Sequence, residues 1–259
     1  MMEGDPVPEI GRHAQIDSLS PWGITQTGEV LFVNWVIDLD DENNNYLMIG
    51  SESSYSFIDR TLKGLSAPGT EPGVTFKSTR GSSHIFSHLS VGEPAILRHT
   101  NLQGPGVDST NDFGIWRQSS DALTLLVREG DPAPGTQPGV VFADRYENFF
   151  PDVGFNLYRS SKSTQLVFVS SLVGPGVNGD NDVGLWVEDD DSFRLVARTG
   201  YPAPGTQPGV VYRPLKDPDY DDSFGPLSFD DSGQVAFRAL ITGPGIGPVS
   251  NCQKLWMGS

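Results

Sequence analysis

Ten residues, Ala133-Pro-Gly-Thr-Gln-Pro-Gly-Val-Val-Phe142, return almost unchanged as Ala203-Pro-Gly-Thr-Gln-Pro-Gly-Val-Val-Tyr212. A third copy stands upstream as Ala67-Pro-Gly-Thr-Glu-Pro-Gly-Val-Thr-Phe76. The copies start at positions 67, 133 and 203, intervals of 66 and 70 residues. A decapeptide recurring so regularly is a structural period, and it restricts the chain to architectures that repeat one supersecondary unit. Three further signatures keep the period. Gly104-Pro-Gly-Val107 returns as Gly174-Pro-Gly-Val177 and Gly243-Pro-Gly-Ile246. Asn111-Asp-Phe-Gly-Ile-Trp116 returns as Asn181-Asp-Val-Gly-Leu-Trp186 and, altered, as Asn251-Cys-Gln-Lys-Leu-Trp256. A short strand-forming run follows a turn at Glu29–Phe32, Glu93–Ile96, Gln165–Phe168 and Gln234–Phe237.

Within one unit the pattern predicts strands. Gln234-Val-Ala-Phe-Arg-Ala-Leu-Ile241 is rich in strand formers and partly alternating, and Gly-Pro-Gly then breaks it. Gly184–Val187 is a second short strand. Ser192–Arg198 is a third, with Phe193, Leu195 and Ala197 expected on one side, and Gly209–Tyr212 is a fourth. Glu188–Asp191 reads as a hairpin loop. No stretch has convincing helical periodicity. The expected fold is all-β: a β-propeller-like array of about four four-stranded units of roughly 66–70 residues. An open arc and a β-solenoid are the alternatives. Residues 1–259 are then one repeat domain, with units near 21–76, 83–142, 151–212 and 223–259, and with 1–20 completing the last unit if a ring closes. Pro134 and Pro204 stiffen the decapeptide, read as a blade-crossing loop, and deprive it of amide donors. The in-register aromatics Phe32, Phe168, Phe237, Trp116, Trp186 and Trp256 are expected to pack between blades.

Composition narrows the function. Gly and Pro number 30 and 20 of 259 residues. That is below the roughly 25–30% at which unpatterned Gly and Pro signal disorder, so ordered turns are the reading. The net charge of −16 opposes nucleic acid and anionic membrane surfaces as partners. Cys252 is alone, which removes a disulfide framework and any cysteine-rich zinc site. No apolar run approaches the ~18 residues of a membrane span, so no membrane insertion is expected. Met1–Pro6 lacks a charged segment followed by an apolar one, so no export signal is read there.

The stretch Asp230-Asp-Ser-Gly-Gln-Val-Ala-Phe237 resembles the NxxGxxAF tandem repeat of bacterial surface-associated proteins, with Asp230 at the motif's Asn position. Arg128–Gly135 and the two Asn-Asp-x-Gly-(Ile/Leu)-Trp runs are similar to other parts of that repeat. The other units match it in part, with Gly28 and Phe32, with Gly92 and Ala95, and with Phe168. The resemblance implies an exported, extracellular or cell-surface repeat protein with no established activity.

Candidate chemistry centres on the acidic loop before each Trp strand. Asp108, Asp112, Asp180 and Asp182 place oxygens at intervals before a glycine, and calcium takes six to eight such hard oxygens. The competing reading is turn capping, in which Asn and Asp side chains bond their own backbone. The same run resembles the Asp-box of sialidase propellers, which is a structural hairpin away from the active site. Carboxylate groups such as Asp38, Asp40, Asp189 and Asp217 would suit a glycosidase if paired about 5–10 Å apart, but they lie in solvated stretches. His84, His88 and His99 cluster in sequence, yet strand spacing keeps His84 and His88 about 13 Å apart. No nucleophile elbow, P-loop or dinucleotide fingerprint is present. The expected function is a non-enzymatic repeat scaffold or binding module without a required cofactor. Its partner is a protein or glycan, and it works as a monomer or as part of a longer chain. A propeller-type polysaccharide hydrolase and a calcium-stabilised adhesion module are the alternatives. Copy-to-copy divergence directs ligand contact to the loops 38–45, 77–86, 143–150 and 213–224. Tyr146, Phe149, Phe150 and Tyr220 stand in or beside them; packing inside the ring is the favoured reading of these aromatics, and a glycan-binding face the alternative.

Overall fold

Short apolar runs separated by Pro-Gly turns satisfy their amides by pairing side by side. The computed structural model describes residues 15–24, 30–37, 45–50, 55–59, 64–77, 85–88, 95–118, 122–143, 155–159, 166–189, 192–214, 224–229, 234–247 and 253–258. The protein is all-β: every element named among these residues is a strand. No helix among them is long and apolar enough to cross a membrane. The chain divides into two compact units, Met1–Arg128 and Glu129–Ser259.

Unit 1 opens with an antiparallel sheet in chain order: β1 (Gln15–Ile24), β2 (Val30–Ile37), β3 (Asn45–Gly50) and β4 (Tyr55–Asp59). Its second sheet contains β5 (Thr75–Phe76), β6 (Ile85–His88), β7 (Ala95–Gln103), β8 (Phe113–Gln118) and β9 (Leu123–Arg128). Here β5 pairs with the end of β7 and β6 with its beginning, while β8 and then β9 follow β7.

Unit 2 has a sheet with the same order, from β10 (Val141–Ala143), β11 (Phe155–Arg159), β12 (Leu166–Val173), β13 (Val183–Asp189) and β14 (Ser192–Arg198). Its last sheet contains β15 (Val211–Tyr212), β16 (Phe224–Phe229), β17 (Val235–Thr242) and β18 (Gln253–Gly258), with β15, β16 and β18 all paired to β17. The two residues that close each decapeptide thus pair with the sheet that follows it.

Strand alternation gives the β10–β14 sheet two unlike faces. Phe142, Phe168, Trp186 and Phe193 gather on one, with centroid distances of 4.9 Å for Phe142–Trp186 and 5.0 Å for Phe168–Phe193. Val167, Val169, Leu185 and Val187 occupy the other. They share one buried cluster with Tyr212, Phe224, Phe237 and Trp256 of the β15–β18 sheet. Phe237 and Trp256 belong to that cluster, while the side chain of Phe32 is outside the described residues.

The expectation that Phe193, Leu195 and Ala197 share a side is corrected by a β-bulge. Ala197 pairs with Leu185 but Leu195 pairs with Trp186, so one extra residue intervenes. Alternation slips there, and Ala197 joins the aliphatic cluster. The matching slip in unit 1 lies between Ile115 and Trp116.

Candidate functional site

The decapeptide folds as two consecutive turns. In Ala67-Pro-Gly-Thr70 the Thr70 amide donates to the Ala67 carbonyl at 3.4 Å; in Glu71-Pro-Gly-Val74 the Val74 amide donates to the Glu71 carbonyl at 3.1 Å. Pro at the second position and Gly at φ 82° and 88° at the third define type II turns. Thr70 Oγ1 also donates to the Ala67 carbonyl, at 2.7 Å. The Ala67 amide donates back to Val74, closing the loop. The other two copies repeat these bonds.

Each loop is fastened from below and beside. Trp116 Nε1 donates to the Pro68 carbonyl at 3.0 Å, Trp186 to Pro134 at 3.0 Å, and Trp256 to Pro204 at 3.1 Å. The donor is the only polar atom of a buried indole, so this bond both satisfies it and fixes the loop over its sheet. The Gly-Pro-Gly turn packs alongside: a Cβ on Gly104 would stand 2.6 Å from the Gly73 oxygen, so only glycine fits.

The acidic loops are held by their own backbone. Asp108 Oδ1 accepts from the Thr110 hydroxyl at 2.7 Å and from its amide at 2.9 Å, and these bonds, the hydroxyl's first, hold its carboxyl below the usual range. Asn111 Oδ1 accepts from the Asp108 amide, while its Nδ2 donates to the Gly106 carbonyl. Asn178 and Asn181 reproduce the arrangement, with Asn178 Oδ1 accepting from the Asp180 amide. Asp112 and Asp182 use their carbonyls to accept from Leu102 and Leu172. Among the described residues no three His, Cys, Asp or Glu side chains converge as metal ligands would. His84 and the side chains of His88 and His99 lie outside those residues. So do Asp38, Asp40, Asp217, Tyr146, Phe149, Phe150, Tyr220 and most of the four divergent loops.

A pair of arginines was not singled out from the sequence, although they stand 70 residues apart in register. Arg128 and Arg198 are both buried. The Nε of Arg128 donates to the Asn111 carbonyl and that of Arg198 to the Asn181 carbonyl, each at 2.8 Å. Beyond that the copies differ. Arg128 Nη1 meets the Glu71 carboxylate at 2.8 Å. Glu71 is held below its ordinary carboxyl value first by its own backbone amide and then by Arg128. In unit 2 the equivalent position is Gln137, whose Oε1 accepts from Arg198 Nη1 at 3.3 Å. The Arg198 guanidinium also stacks on Tyr201, 5.2 Å from the ring centroid.

Tyr201 opens onto a cleft of about 540 Å³ in unit 2. Gly135 and Pro204 of two decapeptides, β14 from Phe193 to Arg198, and Asp189 line it. Its polar wall is Arg198, Tyr201 and the Asp189–Arg194 pair at 3.6 Å. Tyr212 lines it too, and burial pushes its hydroxyl up to about 12. Asp189 is thus the one member of the candidate carboxylate set that reaches a described concavity, and it faces an arginine.

A family model described as "Family of unknown function (DUF7453)" matches residues 1–154 and again residues 147–259. No curated protein and no solved structure matches the chain.

Proposed function

The chain belongs to the DUF7453 family of unknown function, and from its own geometry we propose that it is a non-enzymatic, surface-associated binding module. The observation that carries this reading is the use of the recurring polar side chains. Thr70, Asp108, Asn111, Asn178 and Asn181 bond to their own loop backbone, and Arg128 and Arg198 reach a neighbouring loop carbonyl. Groups committed in this way build a scaffold. The ligand surface is then the cleft of unit 2, where Tyr201 is 38% exposed beside two arginines and a carboxylate. An aromatic platform with a few convergent polar groups suits a glycan.

The test is retention on insoluble chitin, cellulose and peptidoglycan, and calorimetry with soluble alginate and polygalacturonate, each alongside an assay for new reducing ends. Binding without bond cleavage, lost in Tyr201→Ala, is the expected result. Release of reducing ends would favour the hydrolase, and indifference to all five polysaccharides would remove the glycan reading.

The proposed arrangement is four sheets about a common axis, as in a propeller. The face-to-face burial of two consecutive sheets in unit 2 supports it. Small-angle scattering distinguishes the options: a compact ring of this length has a radius of gyration of about 18 Å, and a stacked solenoid is larger. Surface location rests on the NxxGxxAF resemblance, and fractionation of the producing cells tests it.

A further inference from the structure

The loops before β8 and β13 share their turns and differ at the first step, which is Asp108-Ser109 in unit 1 and Asn178-Gly179 in unit 2. No other Asn-Gly step occurs in the chain. We propose that Asn178 is a self-modifying site, whose carboxamide cyclises onto the Gly179 amide, loses ammonia and opens to aspartate or isoaspartate.

Three observations favour the reaction here. Asn178, Gly179 and Asp180 are all exposed, so water and hydroxide reach them. Asn178 Oδ1 accepts from the Asp180 amide at 2.9 Å. That donor polarises Cγ and stabilises the negative charge the oxygen takes on during attack. The third is that the fold does not require Gly179. Gly174 and Gly176 adopt φ of 133° and 73°, whereas Gly179 lies outside the left-handed region, and a Cβ on it would meet nothing within 4 Å. Unit 1 carries Ser109 at the same place. What the missing side chain does provide is an unobstructed nitrogen for the attack. Asn181 is placed differently. It is partly buried, its Oδ1 accepts from the Asn178 amide, its Nδ2 donates to the Gly176 carbonyl, and Asp182 follows it.

Hydroxide takes the Gly179 amide proton, and the nitrogen attacks Asn178 Cγ. A new C–N bond forms, the Cγ–Nδ2 bond breaks, and ammonia departs with a proton from water. Water then opens the five-membered imide. Breaking the bond between Cγ and the Gly179 nitrogen gives aspartate; breaking the bond from the Asn178 backbone carbonyl carbon gives isoaspartate. Overall one water is consumed and one ammonia released, with no change of oxidation state. The aspartyl product reproduces unit 1, where Asp108 Oδ1 accepts from the Thr110 hydroxyl and amide. The isoaspartyl product routes the main chain through Cγ and adds a methylene, so the side-chain turn onto Asp180 cannot keep its place. Asn181 lies just beyond, and its carbonyl holds Arg198 Nε in the wall of the cleft.

The test is incubation of the folded full chain at pH 8.5 and 37 °C, followed by mass spectrometry of the tryptic peptide 163–194. A gain of about 1 Da at Asn178 is expected, in aspartyl and isoaspartyl forms that chromatography separates. Its rate should rise with pH, because the attacking nitrogen must lose a proton. Gly179→Ala should slow it by about tenfold or more with the melting temperature unchanged. Gly179→Ser, which copies unit 1, should slow it likewise. In hydrogen–deuterium exchange Asn178→Asp should protect residues 180–183 as the unmodified chain does, and the isoaspartyl fraction should protect them less. No gain in the folded chain while a urea-unfolded sample gains it, a gain at Asn181 instead, or an undiminished rate in both Gly179 variants would each overturn the proposal.

Discussion

Arg128 in unit 1 and Arg198 in unit 2 occupy the same place on the same backbone, yet one meets a carboxylate and the other a carboxamide. What they share is the Nε bond to an asparagine carbonyl, together with the Trp bond to a proline carbonyl nearby. The difference teaches that this framework does not depend on the ion pair. Losing the carboxylate in unit 2 leaves Arg198 to share its Nη1 with Gln137 and the Tyr201 hydroxyl, and to stack on the Tyr201 ring. The position of greatest chemical freedom in the loop cluster is therefore the one beside the cleft.

The largest effect should be common to both copies. Trp116→Ala and Trp186→Ala each remove a fully buried indole, and each should cost about 3–5 kcal/mol in urea denaturation. A loss below about 1 kcal/mol in either one would break the equivalence of the two sheets. A smaller effect separates the β10–β14 sheet from the last one. Gly135→Ala strains a backbone at φ 78° and drives a Cβ into Leu195, whereas Gly205→Ala strains its backbone in open space. The first should destabilise by about 1–3 kcal/mol and the second by about 1; equal losses would remove the distinction.

The smallest effect concerns charge. The lowered value of Glu71 means its stabilisation is present above the ordinary 4.5 and disappears as pH falls through the folded value. Glu71→Gln should leave the melting temperature at pH 7 little changed, as expected for an exposed carboxylate, and flatten the loss of stability between pH 5 and 3. Gln137→Glu should introduce that acid sensitivity into unit 2. An unchanged acid profile in Glu71→Gln would show that the pair is electrostatically idle.

Much of the local structure was legible because it is dictated by backbone chemistry. Pro-Gly at fixed offsets dictates type II turns, and the central strands begin where Glu29, Glu93, Gln165 and Gln234 announce them. What pattern alone does not reveal is contact through space. The Trp116–Pro68 bond joins two motifs that were read as separate signatures. The bulge opposite Trp186 escapes a period-two reading, since one inserted residue changes which side chains share a face. Arg128 and Arg198 were hidden differently: a charged residue closing a strand reads as solvated, although its recurrence in register was a visible signal of a buried role. The Tyr201 cleft arises where Asp131 of one copy becomes tyrosine in the next, a divergence inside the motif rather than in the variable loops.

The tryptophan lock spans only 48 or 52 residues in each of its three occurrences. The loop and the indole that fastens it are therefore encoded in a single contiguous stretch of gene. A duplication of that stretch would hand on the loop together with its own fastening.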